Sequence, residues 1–468
     1  MQVPAWRALL MATAERASDF LERLPERPVG AGAGVDQLRA ALGGPLPAGP
    51  QEPATVVANL VDTAEAGLVA TPSGRFFGFV IGGALPAAVA ADWLTSAWDQ
   101  NAGLHVASPA GSVVEEVAAG WLTQLLGLPP GTSCGFVTGG QMANLTCLAA
   151  ARHHVLAGAG WDVEVDGLVG APPLRVLVGE ERHDTIDRAL RFLGVGTGRI
   201  VPVAADGQGR MRPDALAVAL AAGDGPTIVC TQLGNVNTGA LDPVGELTGV
   251  AHDRDAWVHV DGAFGLWAAA SPRLRSTVAG VERADSWAAD AHKWLNVPYD
   301  SGLAFTAHPA SHRAAMGVHA SYLVHAEGDE RDQMDWNPEF SRRARGFSVY
   351  AALRSLGRDG VAAMVDRCCG HARRFAELLS DGSGVEILNE VVLNQVLVRF
   401  RSPDGDHDGL TRAVVGAVQR EGTCWMSATT WHGQAAMRIS VSNWSTDDDD
   451  VEHSVAAIRR CVALVTGT

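Results

Sequence analysis

The 468-residue chain is poor in charge: 19% of its residues are Asp, Glu, Lys or Arg, against roughly 25% in an average soluble domain. The charge it has leans acidic, with 36 basic and 52 acidic residues and a formal net charge of −16. The basic residues are scattered, so no cationic patch is predicted for a nucleic-acid backbone or an anionic membrane surface, and neither is expected as a partner. Long apolar runs are also missing. The uncharged apolar stretch Phe76 to Ala91 is broken by Gly82, Gly83 and Pro86, short of the about 20 residues a membrane span needs. The first twenty residues lack a cationic start followed by a long apolar block, and Glu15 and Asp19 intrude early. No secretory leader is expected, and the predicted location is cytoplasmic. There is no CxxC pair and no HExxH motif, so no metal site is predicted. The seven cysteines (134, 147, 230, 368, 369, 424 and 461) are odd in number and irregularly spaced, and are predicted to be reduced thiols of the interior. What the chain does have is apolar residues, 47% of the total, enough to fill a large core and to exclude wholesale disorder.

Three stretches differ in texture. Residues 1–85 form helical segments broken by Gly/Pro-rich linkers at 30–34 and 43–53, an N-terminal arm with little core of its own. In residues 86–345, long apolar-periodic helices come first, clearest over 113–128. Short apolar runs then alternate with helical ones. The strand-like runs are 134–137, 174–179, 226–233, 256–261, 286–290 and 302–306. Strands alternating with helices predict an α/β unit with a mostly parallel sheet covered on both faces. Ligands in such folds sit at the carboxyl ends of the strands, where the polar residues of this chain cluster. Residues 346–468 carry helices at 347–357 and 363–380, then sheet-like runs at 391–400 and 435–444. They end in a helix that Thr446 is predicted to cap, with Asp447 to Asp450 at its positive end. This last stretch reads as a smaller α+β domain.

Several strand ends carry residues with chemical potential. Lys293 follows the run 286–290 between His292 and Trp294. An amine among rings is poorly solvated, which lowers its pKa and makes it a usable nucleophile, although a strand-end lysine can also be a surface charge. Asp261 closes the strand 256–261. A buried carboxylate needs a partner, and a protonated pyridine nitrogen is one such partner, a helix cap or an ion pair another. Gly139 and Gly140 sit between an apolar strand and a helix, where backbone amides can approach a phosphate. Such a turn also occurs for geometry alone. His183 follows the strand 174–179 and is either a ring-stacking residue or an ordinary loop histidine.

In chain order the sequence offers a strand–GG–helix, a strand–His, a strand–GNVNTG, a strand–Asp–Gly–Ala and a strand–His–Lys. This order resembles the group II pyridoxal-phosphate-dependent amino-acid decarboxylases, which include the aromatic-L-amino-acid and glutamate decarboxylases. The likeness runs from about residue 70 to the C-terminus. It is carried by TGGQMANLTCLAAAR (138–152), HVDGAFG (259–265), DAHKWL (290–295) and NPEFSRRARG (337–346). It implies an aspartate-aminotransferase-like fold (fold type I), with a large domain around a mostly parallel seven-stranded sheet and a small α+β C-terminal domain. It also implies pyridoxal 5'-phosphate as cofactor, an amino-acid substrate, and a homodimer with sites at the subunit interface.

The resemblance assigns roles. Lys293 would hold the cofactor aldehyde as a Schiff base, Asp261 the pyridine nitrogen, Ala263 one face of the ring and His183 the other. Gly139, Gly140 and Gln141 would contact the phosphate, with Asn235, Asp290 and His292 nearby. Ser341, with Arg342 and Arg343, would reach the phosphate region of the neighbouring subunit. Tyr322, ahead of Leu323 and in a charge-rich stretch, would be the proton donor on a lid; it is one of only three tyrosines. Arg438 would take the substrate carboxylate. Phe79, Ile81, Gly82, Asn101 and Gly103 would line the side-chain pocket, and Gly82, Asn101 and Gly103 depart from the bulkier pattern of aromatic-acid members. Gln141 and Asp290 stand where Ser and Asn are common. The expected reaction is α-decarboxylation of an L-amino acid to the amine and CO2. Oxygen-dependent decarboxylative deamination, aldol cleavage and transamination are the same-fold alternatives, and an intact Tyr322 speaks against the oxidative one.

Overall fold

A computed structural model describes residues 6–318, 330–381 and 384–467. Its strands are β1 (Phe76–Phe77), β2 (Ser133–Val137), β3 (Arg175–Gly179), β4 (Ile200–Val203), β5 (Thr227–Gln232), β6 (Trp257–Asp261), β7 (Ser286–Asp290), β8 (Gly302–Thr306), β9 (Val385–Ile387), β10 (Gln395–Phe400), β11 (Trp425–Trp431) and β12 (Gln434–Ser440). Among the described residues they form two sheets. The larger has seven strands in the order β2-β8-β7-β6-β5-β3-β4. It is parallel except for β8, which runs against both its neighbours.

The central strands β6, β7 and β8 are buried at every residue, which is why they read as unbroken apolar runs rather than alternating ones. β4 is the strand that hydrophobic pattern alone misses. It is short, partly exposed and carries Pro202, and proline is tolerated there because β4 is an edge strand.

Register brings the chemistry to one rim. Asp261 pairs with Ala288, Asp290 with Gly302, and Gly302 with Val137. The ends of β6, β7 and β2 and the start of β8 therefore share an edge. Gly302 is needed there, because a Cβ at that position would sit 2.5 Å from the Gly139 Cα.

The smaller sheet has the order β1-β11-β12-β10-β9. β1 is parallel to β11, with Phe76 opposite Trp425, so the segment just before residue 85 completes a sheet otherwise built from the C-terminal third. The two helices expected at 347–357 and 363–380 are both present within Gly346–Ser380, meeting at a kink where Gly357 is non-helical (φ 62°). The last helix, Asp448–Thr466, is capped by Asp447 rather than Thr446. The Asp447 carboxylate accepts the Asp450 N–H at 2.8 Å, and the Asp450 side chain accepts the Asp447 N–H in return. The Thr446 hydroxyl is diverted to the Gly74 carbonyl, 2.7 Å away.

All seven cysteines are buried and unpaired. Among the described residues no helix is long and apolar enough to cross a membrane. The three N-terminal helices, Trp6–Glu22, Val35–Leu42 and Pro53–Ala64, bury no residue of their own.

One buried ion pair ties the first half of the chain to the segment after the undescribed stretch. Arg342 donates to both oxygens of Glu115 (2.9 and 2.8 Å) and to the carbonyls of Ala102 and Phe136. Neither side chain is more than 1% exposed. Burial raises the Glu115 carboxyl above its ordinary value against the pull of Arg342. Breaking one side strands the other charge, so Arg342→Leu is expected to cost about 3–5 kcal/mol in urea unfolding. The Glu115→Leu/Arg342→Leu double variant is expected to recover much of that loss. A double variant no more stable than the single one would contradict the assignment.

Candidate active site

The rim of the large sheet opens into a cleft of about 270 Å3. Lys293 lies just beyond β7 and its Nζ is 2.8 Å from Asp290 Oδ2. Asp290 is almost fully buried. Its Oδ1 accepts the Gly140 N–H and lies 3.3 Å from His292 Nε2. Burial alone would raise the Asp290 carboxyl, but Lys293, His292 and the Gly140 amide together hold it below its ordinary value. His292 Nδ1 accepts the Ser301 N–H at 3.1 Å, which leaves Nε2 as the protonated nitrogen facing Asp290. Burial lowers the His292 pKa. The Tyr299 ring stacks on His292 at 4.1 Å between centroids.

Asp261, at the end of β6, lines the same cleft. Its Oδ1 accepts the Ala263 N–H (3.3 Å) and its Oδ2 accepts the Asn144 amide (3.1 Å). Asn144 lies on the helix Gly140–Gly158, one turn in from the paired glycines. His183 caps the helix Asp184–Phe192, its Nδ1 accepting the Thr185 N–H. The Thr185 hydroxyl, 2.9 Å from that nitrogen, also accepts from Asn144 at 3.1 Å. Gly139 and Gly140 are pinned from below. A Cβ on either would press into His292 or Asp290, at 2.9 and 2.8 Å.

Of the residues expected from sequence, Gly139, Gly140, Gln141, His183, Asp261, Ala263, Asp290, His292, Lys293 and Phe79 share this cleft. The others, Tyr322 apart, are not among its lining residues. Asn235 spends its side chain on the turn it sits in, donating to the Glu181 carbonyl and accepting from the backbone of Asn237 and Thr238. Gly82 abuts the Lys293 carbonyl, which a Cβ there would overlap. Its small size serves close backbone approach, not room for a substrate ring. Ile81 is held by its carbonyl, which accepts the Ser442 hydroxyl. Asn101, Gly103 and Ser341 belong to a separate patch. Asn101 bridges to Arg343 and accepts the Arg342 N–H, Gly103 packs on the Phe340 carbonyl, and Ser341 is exposed beside them. Arg342 is committed to Glu115, and Arg343 to Asp92 (2.8 Å). Tyr322 lies outside the described residues.

Arg438, on β12, is buried. Its polar contact is a 3.4 Å approach to Asn237, its Nε has no partner, and no carboxylate pairs with it among the described residues. Burial pushes its guanidinium down to about 10.

Several residues have roles the sequence did not announce. Asn144, Thr185, Val80 and Phe264 join the cleft. Asn296 ties it to its surroundings: its side-chain Oδ1 accepts the N–H groups of Gly83 and Trp444, and its side-chain amide donates to the carbonyls of Lys293, Trp294 and Ser442. Its place three residues after Lys293 was the available signal. Phe79 and Val80 both hold positive φ (57° and 58°), a conformation costing about 1–3 kcal/mol for such residues. The Phe79 N–H is anchored on the Ser427 hydroxyl, and its ring lies against Trp425.

An amine and a buried carboxylate lining one cleft with a glycine turn at a helix N-terminus and a histidine ring fit the class of enzymes that work through pyridoxal phosphate at the rim of a doubly wound sheet. A family model described as the pyridoxal-dependent decarboxylase conserved domain matches residues 37–402, and the chain belongs to this family of pyridoxal-phosphate-dependent amino-acid decarboxylases. It is 28% identical to tryptophan decarboxylase 1 of Oryza sativa subsp. japonica, over 97% of this chain and 93% of that protein. It is 29% identical to the L-2,4-diaminobutyrate decarboxylase of Rhizobium meliloti (strain 1021), over 79% and 74%. The crystal structure of Oryza sativa TDC with PLP and tryptamine superposes with a TM-score of 0.92 at 24% identity, covering 99% of both chains, which identifies the fold as type I. Pyridoxal phosphate is the family's cofactor, and the residues present suit it. They supply a buried carboxylate for a ring nitrogen, a reachable amine for the aldehyde, and a side-chain-free turn at a helix N-terminus for the phosphate.

Proposed function

We propose that the protein catalyses α-decarboxylation of an L-amino acid to the corresponding amine and CO2. The observation that carries this reading is that Lys293 and Asp261 line one cleft with the Gly139–Gly140 turn and His183, with a buried Arg438 on the small domain whose Nε has no partner. Bound pyridoxal phosphate supplies the sink for the electron pair released when the Cα–carboxylate bond breaks. Lys293 holds the cofactor and yields its place to the substrate amine. Asp261 would hold the ring nitrogen in its protonated form, and His183 and Ala263 would pack on the ring. Arg438 takes the substrate carboxylate through its free N–H groups, which orients the bond to be broken. Tyr322 returns a proton to Cα, so that the carbon losing CO2 gains hydrogen and nothing is oxidised.

In the same reading the chain divides into an arm (1–85) that lends β1 to the small sheet, a cofactor domain (86–345) and a small domain (346–468). The working unit is a homodimer. Trp6, Leu10 and Met11 on the first helix, and Trp93, Leu94 and Trp98 on the helix Pro86–Trp98, are exposed, more apolar surface than a monomer keeps uncovered. The patch of Asn101, Gly103 and Ser341 then serves the partner subunit's cleft.

The test is to incubate the cofactor-loaded protein with single amino acids, aromatic, acidic and basic, and to measure amine, CO2, aldehyde and peroxide. Equal amounts of amine and CO2 are expected from one class of substrate. Aldehyde and peroxide without amine would overturn the reading. The dimer predicts a single sedimenting species of twice the chain mass.

A further inference from the structure

Behind Asp261, on the side away from the cleft, a line of buried polar groups crosses the sheet. His259 stands two residues earlier on β6 and is fully buried. Its Nε2 is 2.9 Å from Asn144 Oδ1 and its Nδ1 is 2.9 Å from the Ser286 hydroxyl on β7. The Trp257 indole N–H donates to the same hydroxyl at 2.9 Å.

The direction of each bond follows from what each group can do. Trp257 can only donate, so the Ser286 oxygen accepts from it, and the Asp261 carboxylate can only accept, so Asn144 turns its amide nitrogen to Asp261 and its oxygen to His259 Nε2. That fixes the hydrogen of a neutral His259 on Nε2, where it donates to the Asn144 oxygen. Asn144 is then held with its amide nitrogen toward Asp261 Oδ2 and the Thr185 hydroxyl. The reverse amide orientation would set an oxygen against the Asp261 carboxylate. Burial pushes His259 down to about 4 despite the pull of Asp261, so the ring is neutral at working pH and the line is one of position, not of proton transfer.

We infer that His259 is a positioning residue for the reaction: acting through Asn144, it holds the Asp261 carboxylate turned toward the cleft and supplied with a hydrogen-bond donor, and so helps set how tightly the cofactor ring is held. Through Thr185 the same amide also steadies His183, so one buried asparagine aligns the residues on two sides of the ring. The inference rests on the proposed pairing of Asp261 with the cofactor's ring nitrogen.

The experiment compares His259→Phe, Ser286→Ala and Asp261→Asn as full-length proteins. Three quantities are measured: the apparent Kd for pyridoxal phosphate by titrating the visible band into apoprotein, the pH midpoint of that band, and the melting temperature of the apoprotein. His259→Phe leaves the Asn144 oxygen without its donor. It is expected to weaken cofactor binding roughly tenfold, the size of a lost hydrogen bond near a charge, and to move the pH midpoint in the same direction as Asp261→Asn. Ser286→Ala removes the hydrogen-bond partner of His259 Nδ1 and is expected to shift both quantities the same way by less; it decides the matter alone if His259→Phe does not fold. If Asp261→Asn moves both quantities while the other two variants leave them within about twofold and only melt earlier, the role of His259 is structural and the inference fails. If Asp261→Asn itself moves neither, the pairing of Asp261 with the cofactor fails, and the inference falls with it.

Discussion

Lys293→Ala is expected to leave a folded, colourless protein whose turnover is lower by on the order of 10^4-fold or more, as for other residues that carry a covalent step. Borohydride treatment of the loaded wild type should fix the cofactor to the peptide containing Lys293, and the variant should show no such mass increment. The substitution also touches stability. Lys293 is the cation nearest Asp290, a nearly fully buried carboxylate. Asp290 is held below its ordinary value of 3.8, so the folded protein binds fewer protons there than the unfolded chain. Its contribution is therefore complete above about pH 4 and is lost as pH falls through the depressed folded value. Removing the lysine removes the largest cause of that depression, so the acid-side fall in stability should flatten in Lys293→Ala. Lys293→Arg separates the two roles, keeping a cation beside Asp290 while lacking an amine able to condense with an aldehyde. Acid stability near wild type without visible absorbance is expected. A coloured, active Lys293→Ala protein would remove the residue from the mechanism.

How much of this was written in the sequence depends on where each residue sits relative to a strand end. Lys293, Asp261, His183 and the Gly139–Gly140 pair all lie within a few residues of a buried strand's carboxyl end, so their order along the chain already describes the rim. Asn144 and Thr185 do not. They reach the cleft because a helix presents one face to β6 and because His183 caps the next helix, relations fixed only when the elements pack. Gly82 was legible as small but not for the right reason, since its neighbour is a carbonyl 211 residues away in the chain. The Arg342–Glu115 pair was invisible for the same cause, because nothing in the local pattern of a helix tells which arginine will meet its glutamate. β4 was hidden by Pro202, and the last helix cap slipped by one residue because aspartate competes with threonine for the same amide.

Asp261→Asn is the second large expectation, and it separates electrostatics from packing. Asparagine has the shape of aspartate but only one oxygen, so of the two hydrogen bonds that seat the side chain, from the Ala263 N–H to Oδ1 and from Asn144 to Oδ2, one is kept and the other donor faces an NH2. What disappears is the negative charge at the end of β6. A ring nitrogen is no longer held protonated by a buried anion, and the released electron pair finds a poorer sink. Loss of one preorganised electrostatic partner in such a site is worth roughly 10²–10³-fold in kcat. Because Lys293 is untouched, the variant should stay coloured, and KM should change much less than kcat. Melting of the apoprotein should stay close to wild type, since the carboxylate is buried with no cation against it among its described hydrogen-bond partners, and the easier desolvation of its neutral replacement offsets the lost acceptor. A colourless Asp261→Asn protein would mean that the carboxylate is needed to bind the cofactor at all. Near-wild-type turnover would mean that the sink is supplied elsewhere, and the placing of Lys293 and Asp261 in one cleft would then be a feature of the fold without consequence for the chemistry.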